Sequence, residues 1–383
     1  MTVSSLLFVE DATPSCEPPN ALPGSEYQRN LFHRQYFQLL DLDSLTWPEA
    51  KFLRDPTVQA WLYECVFKPD VVDFPPPERY QMRVLKALVA RIEDAIVDPE
   101  EDGLSDDLMS CLSLLLASGV PPESTAAQQR SYVTYSHTLD EDMQVERTKQ
   151  VTLLEWRSVL GSSGTTGLRT WEAALHLGSY LLSSHAGHNG FAATGKNVVE
   201  LGAGTGYVSV LCAKHLGARH VTATDEADEV VEALASNAFI NKLDERNVLE
   251  PKVLRWGSSL VGSWVEENIA DHPYDLALGA DVTYDEAAIP SLVSTLRDLF
   301  ELRPALCVLI SATIRNEKTF RVFEYACRRC TKLYTERNHL DIVEVDFPVA
   351  PEHHQRGPFY ASKVPIRIVS ITHRGKSRDP FAL

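Results

Sequence analysis

The chain has 383 residues and a mass of 42.7 kDa, enough for about two or three domains with sizeable cores. Lys and Arg number 36 against 53 Asp and Glu, a formal net charge of −17. That leaves no basic face of the kind that grips nucleic-acid phosphates, and it suits a basic protein surface as partner. Seven scattered cysteines, without a secretory leader, predict reduced thiols and a cytoplasmic protein.

Prolines across residues 13–25 predict a flexible arm over residues 1–26. Residues 27–130 predict a helical N-terminal domain, a candidate for substrate recognition. In "YQRNLFHRQYFQLLDLDSL", Leu31, Tyr36, Leu39 and Leu40 fall at helical spacings, as do Met82, Leu85, Leu88, Val89 and Ile92 in "ERYQMRVLKALVARIEDAIV". The most apolar stretch, "LMSCLSLLLASGV", is too short and too polar to span a bilayer and reads as a core helix, so no membrane partner is expected.

The period changes in residues 131–383. "RSYVTYSHTL" and "QVTLLEWRSVL" predict a β-pair, and "GSSGTTGLRTWEAALHL" a loop followed by a helix from about Thr170. Strands are then expected at 197–201, 220–224, 247–256, 274–279, 306–312, 340–345 and 365–372. Helices are expected at 206–216, 227–240, 287–300 and 317–330. The fold class is therefore α/β: a Rossmann-like, seven-stranded, mostly parallel sheet with helices on both faces and a helical domain before it. No helix separates the last two strands, so the final one is expected to run antiparallel to its neighbour. "CRRC" at Cys327–Cys330 lacks the second ligand pair that a zinc site needs, and no metal is expected.

The stretch "VVELGAGTGYVSVL" ends a strand, turns on glycines and opens a helix. A dinucleotide fingerprint would put its third glycine where Tyr207 stands; here it is Gly206. Glu200 precedes Gly202 by two residues. This E-x-G-x-G-x-G pattern suits a ligand with an ammonium, held by the acid, and a carboxylate, held by backbone N–H groups. Asp225 ends the next strand, where a carboxylate accepts from two ribose hydroxyls. Together these features point to S-adenosylmethionine.

At these residues the chain resembles the seven-β-strand methyltransferases, and within them the lysine-methylating group called family 16. "GTTGLRTWEAALHL", "VLRWG" and "GADVTYDEAAIPSLVSTL" carry the likeness, the last through the D-x-x-Y motif of Asp281 and Tyr284. The N-terminal "LFHRQYFQLLDLDSLTWP" is similar to the start of the methyltransferases that modify elongation factor 2, although "GSSGTTGL" departs from their Ser-Tyr before the tryptophan. The resemblance implies cofactor contacts at Trp171, Gly202, Ala203, Gly204, Asp225, Trp256 and Ala280, beside Glu200, and an acceptor lysine bordered by Asp281 and Tyr284. It implies a monomeric protein-lysine N-methyltransferase of elongation factor 2; the alternative is a methyltransferase of the same fold acting on another protein or a small molecule. Trp171, early on a helix, also suits packing on the sheet. Asn237 and Asn241, one turn apart, read as caps or solvent-facing residues.

Overall fold

The computed structural model describes residues 24–69, 71–119, 129–138, 148–156, 166–244, 246–328 and 340–373. It divides into two units, Met1–Pro121 and Pro122–Leu383. The first unit contains α1 (Ser25–Phe37), α2 (Ala50–Leu53), α3 (Pro56–Leu62), α4 (Glu78–Ala95) and α5 (Asp106–Ala117). Asp55 caps α3 by accepting the Thr57 N–H at 2.8 Å, with Pro56 at the first helical position. On α4, Val84, Leu85, Leu88 and Ile92 form one fully buried face, as the 3.6-residue period requires. The Tyr36 ring lies 5.3 Å from Phe67 and 5.5 Å from Tyr80, joining α1 to α4 and to the turn after α3.

Two expectations for this unit need correction. Helix α1 stops at Phe37, and Leu39 adopts a left-handed φ of 59°, so Leu39 and Leu40 lie beyond the helix. On α5 only Leu108, Cys111 and Leu112 are buried, while Met109, Leu114 and Leu116 are exposed. That helix buries one face; it is not a core helix all round. The arm, apart from its last residues, lies outside the described residues.

The second unit opens with β1 (Arg130–Thr138) and β2 (Thr148–Trp156), an antiparallel pair in which Tyr135 faces Val151. There follow α6 (Glu172–Leu182), α7 (Ser184–His188), β3 (Asn197–Leu201), α8 (Tyr207–His215), β4 (His220–Asp225), α9 (Asp228–Ile240), β5 (Leu249–Val253) and α10 (Trp264–Asp271). The chain continues through β6 (Leu276–Ala280), α11 (Ile289–Leu302), β7 (Cys307–Thr313), α12 (Glu317–Arg328), β8 (Leu340–Val345) and β9 (Ile366–His373). The sheet order is β5-β4-β3-β6-β7-β9-β8. Its first five strands are parallel, and β9 runs antiparallel between β7 and β8. The seven expected strands are all present. Helices α7 and α10 were not expected: they are short, and α10 buries only Val265 and Ile269.

Strand alternation decides what faces what. Val199, Leu201, Val308 and Ile310 join one core with Leu292, Leu296 and Leu299 of α11 and Phe320 and Phe323 of α12. Glu200, between two of them, is turned to the other face, where Ser209 of α8 donates its hydroxyl to the carboxylate. Asn237 and Asn241 are also corrected by the structure, being 0% and 4% exposed. Asn237 Oδ1 accepts the Leu154 N–H at 2.8 Å, and Asn241 Nδ2 donates to Thr152 O at 2.6 Å. Their amides substitute for a neighbouring strand along β2, whose backbone groups need partners once buried.

Candidate active site

After β3 the chain turns through Gly202 and Gly204 at left-handed φ angles of 64° and 54°, a region glycine occupies without steric cost. Space is restricted as well. A Cβ on Gly202 would stand 2.9 Å from Val282 and 3.2 Å from the Trp256 indole; one on Gly204 would stand 3.0 Å from the Gly167 carbonyl oxygen. Side chains are therefore excluded by the protein's own packing as well as by any ligand.

The loop's amides are largely spent inside the protein. Ala203 N–H donates to Thr224 O at 2.8 Å, Gly204 N–H to Asp225 Oδ2 at 3.1 Å, and Gly206 N–H to Ala203 O at 2.8 Å. The expectation that these groups hold a ligand's carboxylate is corrected for those three donors. Asp225 also accepts the Glu226 N–H at 2.8 Å. Burial pushes its pKa up, and those N–H groups oppose the shift. Its Oδ1 also accepts the Ala227 N–H at 3.4 Å, so it is Oδ2, with the Gly204 N–H alone, that keeps room for a second donor.

Glu200 is 2% exposed. Burial pushes its carboxyl up to about 8, against the Ser209 hydrogen bonds and helped by the Asp225 charge. The group is poised to ionise when a cation is placed beside it.

A cavity of about 710 Å³ opens at the carboxyl end of the parallel strands. Trp171, Glu200, Gly202, Ala203, Gly204, Asp225, Trp256, Ala280, Asp281 and Tyr284 all line it, so the structure brings together every residue singled out in the sequence. Trp171 directs its indole N–H to Thr166 O at 3.1 Å. Tyr284 is 62% exposed at the rim, its hydroxyl 3.5 Å from Thr166 Oγ1.

Asp281 is less free than an amine-orienting group was expected to be. Its Oδ1 accepts the Thr313 N–H at 2.7 Å and its Oδ2 the Thr313 hydroxyl at 2.9 Å, while its own N–H donates to Ser311 O at 2.8 Å. The residue brackets the ends of β6 and β7 together at a left-handed φ of 52°. Burial raises its pKa; Thr313 and the Arg315 cation pull the other way.

Sequence reasoning missed Arg169 and Arg315, which also line the cavity. Arg315 stands two residues after the end of β7, at the strand end where such sheets place ligands, and that signal was available. Glu155 on β2 was missed too. Its carboxylate accepts from Tyr135 Oη at 2.8 Å and Thr170 Oγ1 at 2.6 Å, and Thr170 contacts Thr205 of the glycine loop at 2.7 Å. The β-pair thus braces the loop through a buried carboxylate. Cys327 is buried on α12, and Cys330 lies outside the described residues. Among the described residues no helix is long and apolar enough to cross a membrane.

The model of a family described as lysine methyltransferase matches residues 148–328. The protein-lysine N-methyltransferase EFM3 of Chaetomium thermophilum is 44% identical over 337 residues, covering 88% of this chain and 95% of that protein. The chain belongs to the lysine methyltransferase family. As a member it is a protein-lysine N-methyltransferase, acting on a protein substrate. The human protein-lysine N-methyltransferase EEF2KMT is 29% identical over 354 residues, covering 85% of this chain and 97% of its own. The mouse EEF1A lysine methyltransferase 3 is 31% identical over 186 residues, covering 49% of this chain and 70% of its own.

Proposed function

We propose that this lysine methyltransferase uses S-adenosylmethionine to methylate a lysine of elongation factor 2, as a monomer. The observation that carries the cofactor reading is the convergence of Glu200, the glycine loop, Asp225 and Trp256 on one cavity. Bound S-adenosylmethionine supplies a methyl group on a sulfonium, ready for in-line displacement. Around it, Glu200 receives the ammonium and Asp225 accepts from the ribose hydroxyls. Trp256 offers an indole face to the purine. Arg169 replaces the spent loop amides as the partner of the ligand's carboxylate, since a guanidinium forks onto a carboxylate in two hydrogen bonds.

The acceptor enters past Tyr284 and Asp281. It must arrive as a neutral amine, because an ammonium has no lone pair to attack with. Holding nitrogen, methyl carbon and sulfur in line can lower the barrier by about 7–11 kcal/mol.

The substrate reading rests on how far the likeness extends. A 354-residue match with EEF2KMT is too long to fit within Pro122–Leu383, so it reaches into the N-terminal unit. The 186-residue match with EEF1A lysine methyltransferase 3 could fit within the second unit alone. The latter nonetheless favours elongation factor 1A as a second reading. Labelled S-adenosylmethionine added to whole-cell lysate with the enzyme separates them by mass spectrometry of the labelled band. Label in elongation factor 2 is the expected result; label in elongation factor 1A alone supports the second reading.

A further inference from the structure

The end of β7 carries a cation in contact with two carboxylates. Arg315 Nη2 lies 3.4 Å from Glu172 Oε2 at the start of α6 and 3.6 Å from Asp281 Oδ2 at the end of β6. Its guanidinium carbon stands 5.0 Å from the centre of the Trp171 ring, which fixes its direction. The Arg315 side chain is 44% exposed, and ion pairs this exposed add little stability. Holding the fold together does not account for the arrangement.

The chemistry of the acceptor does. A free lysine has a pKa of about 10.4, and a carboxylate within about 4–6 Å favours its charged form. Asp281, which lines the cavity, and Glu172 behind Arg315 would, if left uncompensated, hold an incoming lysine as ammonium and deny its lone pair to the methyl carbon. We propose that Arg315 is a positioning residue that occupies these two carboxylates, so that the acceptor amine meets a charge-compensated mouth and enters neutral. This rests on the reading in which Asp281 and Tyr284 border the acceptor.

The other groups around Arg315 are consistent with that role. Arg169 stands 5.3 Å from the Trp171 ring and adds a second cation. Asn316, Tyr284 and Asp285 line the same cavity. Glu317 of α12 is engaged by Arg367 at 3.0 Å and does not compete for Arg315. Arginine suits the task because its charge persists at every working pH and its Nη2 reaches both carboxylates at once.

The test is the pH dependence of methyl transfer from labelled S-adenosylmethionine, at saturating cofactor, into the labelled lysate protein, for wild type, R315K and R315Q. Each variant is scaled to its own alkaline plateau, so a loss of folded enzyme cancels. In R315Q the rise in rate should move about one pH unit to the alkaline side, a roughly tenfold loss near neutrality that high pH restores. R315K, which keeps the charge, should retain the wild-type midpoint. An R315Q midpoint at the wild-type value, or an R315K midpoint displaced as far as that of R315Q, would overturn the proposal. The identity of the labelled protein tests the substrate reading separately.

Discussion

Glu200 and Asp281 do different things for the same site. A carboxyl whose folded pKa of about 8 lies above its ordinary 4.5 stays protonated in the ligand-free enzyme while the unfolded chain has already ionised. Its contribution to stability is therefore full below about pH 4.5 and is lost as pH rises through 8. A ligand ammonium reverses the preference, so ligand binding near pH 7 should release a proton from Glu200. Calorimetry in two buffers of different ionisation enthalpy should show that release for wild type and not for Glu200→Gln; buffer-independent binding in wild type would contradict the assignment. Asp281→Ala leaves the Thr313 N–H without its acceptor, a cost of about 1–3 kcal/mol, and places alanine at a left-handed φ. Asn retains an acceptor oxygen and tolerates that backbone. Thermal unfolding should rank wild type above Asp281→Asn and Asp281→Ala lowest, with methylation depressed in both. An Asp281→Ala enzyme that melts with wild type would remove the bracket from the account.

Among the elements, the glycine loop is held from two sides: by β4 through Asp225, and by the 166–171 segment through Gly167 and Thr170, which Glu155 of the β-pair anchors in turn. Gly204→Ala should cost about 1–2 kcal/mol for the left-handed backbone alone and should weaken S-adenosylmethionine binding by displacing the Gly167 segment. Unchanged melting and affinity would show the loop to be looser than its contacts indicate. This is also where the sequence was readable and where it was not. The parallel strands announced themselves because strands covered on both faces are nearly continuous apolar runs, as in Val198–Val199 or Leu276–Ala277–Leu278. Glu200 was found from its place two residues before the first glycine of the loop, Asp225 because it ends a strand, and Asp281 through the D-x-x-Y motif that follows one. Arg315 and Glu155 escaped, since their partners lie 143 and 15 residues away in sequence and no short motif joins them. Asn237 and Asn241 were misread because an amide one helical turn from its twin looks the same in sequence whether it meets water or the backbone of β2.

At the scale of the whole molecule, the two units divide the labour in the proposed account: cofactor and chemistry in Pro122–Leu383, choice of protein in Met1–Pro121. A chain beginning at residue 122 should bind S-adenosylmethionine with near full-length affinity and methylate its protein substrate poorly. Full activity from that shortened chain would assign substrate choice to the second unit as well. The central claim, methyl transfer from S-adenosylmethionine to a lysine of elongation factor 2, is tested most directly on purified components. Purified elongation factor 2 is incubated with the full-length enzyme and S-adenosylmethionine, and its peptides are mapped by mass spectrometry. The account predicts a methyl increment on a lysine of elongation factor 2, absent when the enzyme is omitted. Unmodified lysines throughout, from an enzyme shown by calorimetry to bind the cofactor, would contradict it.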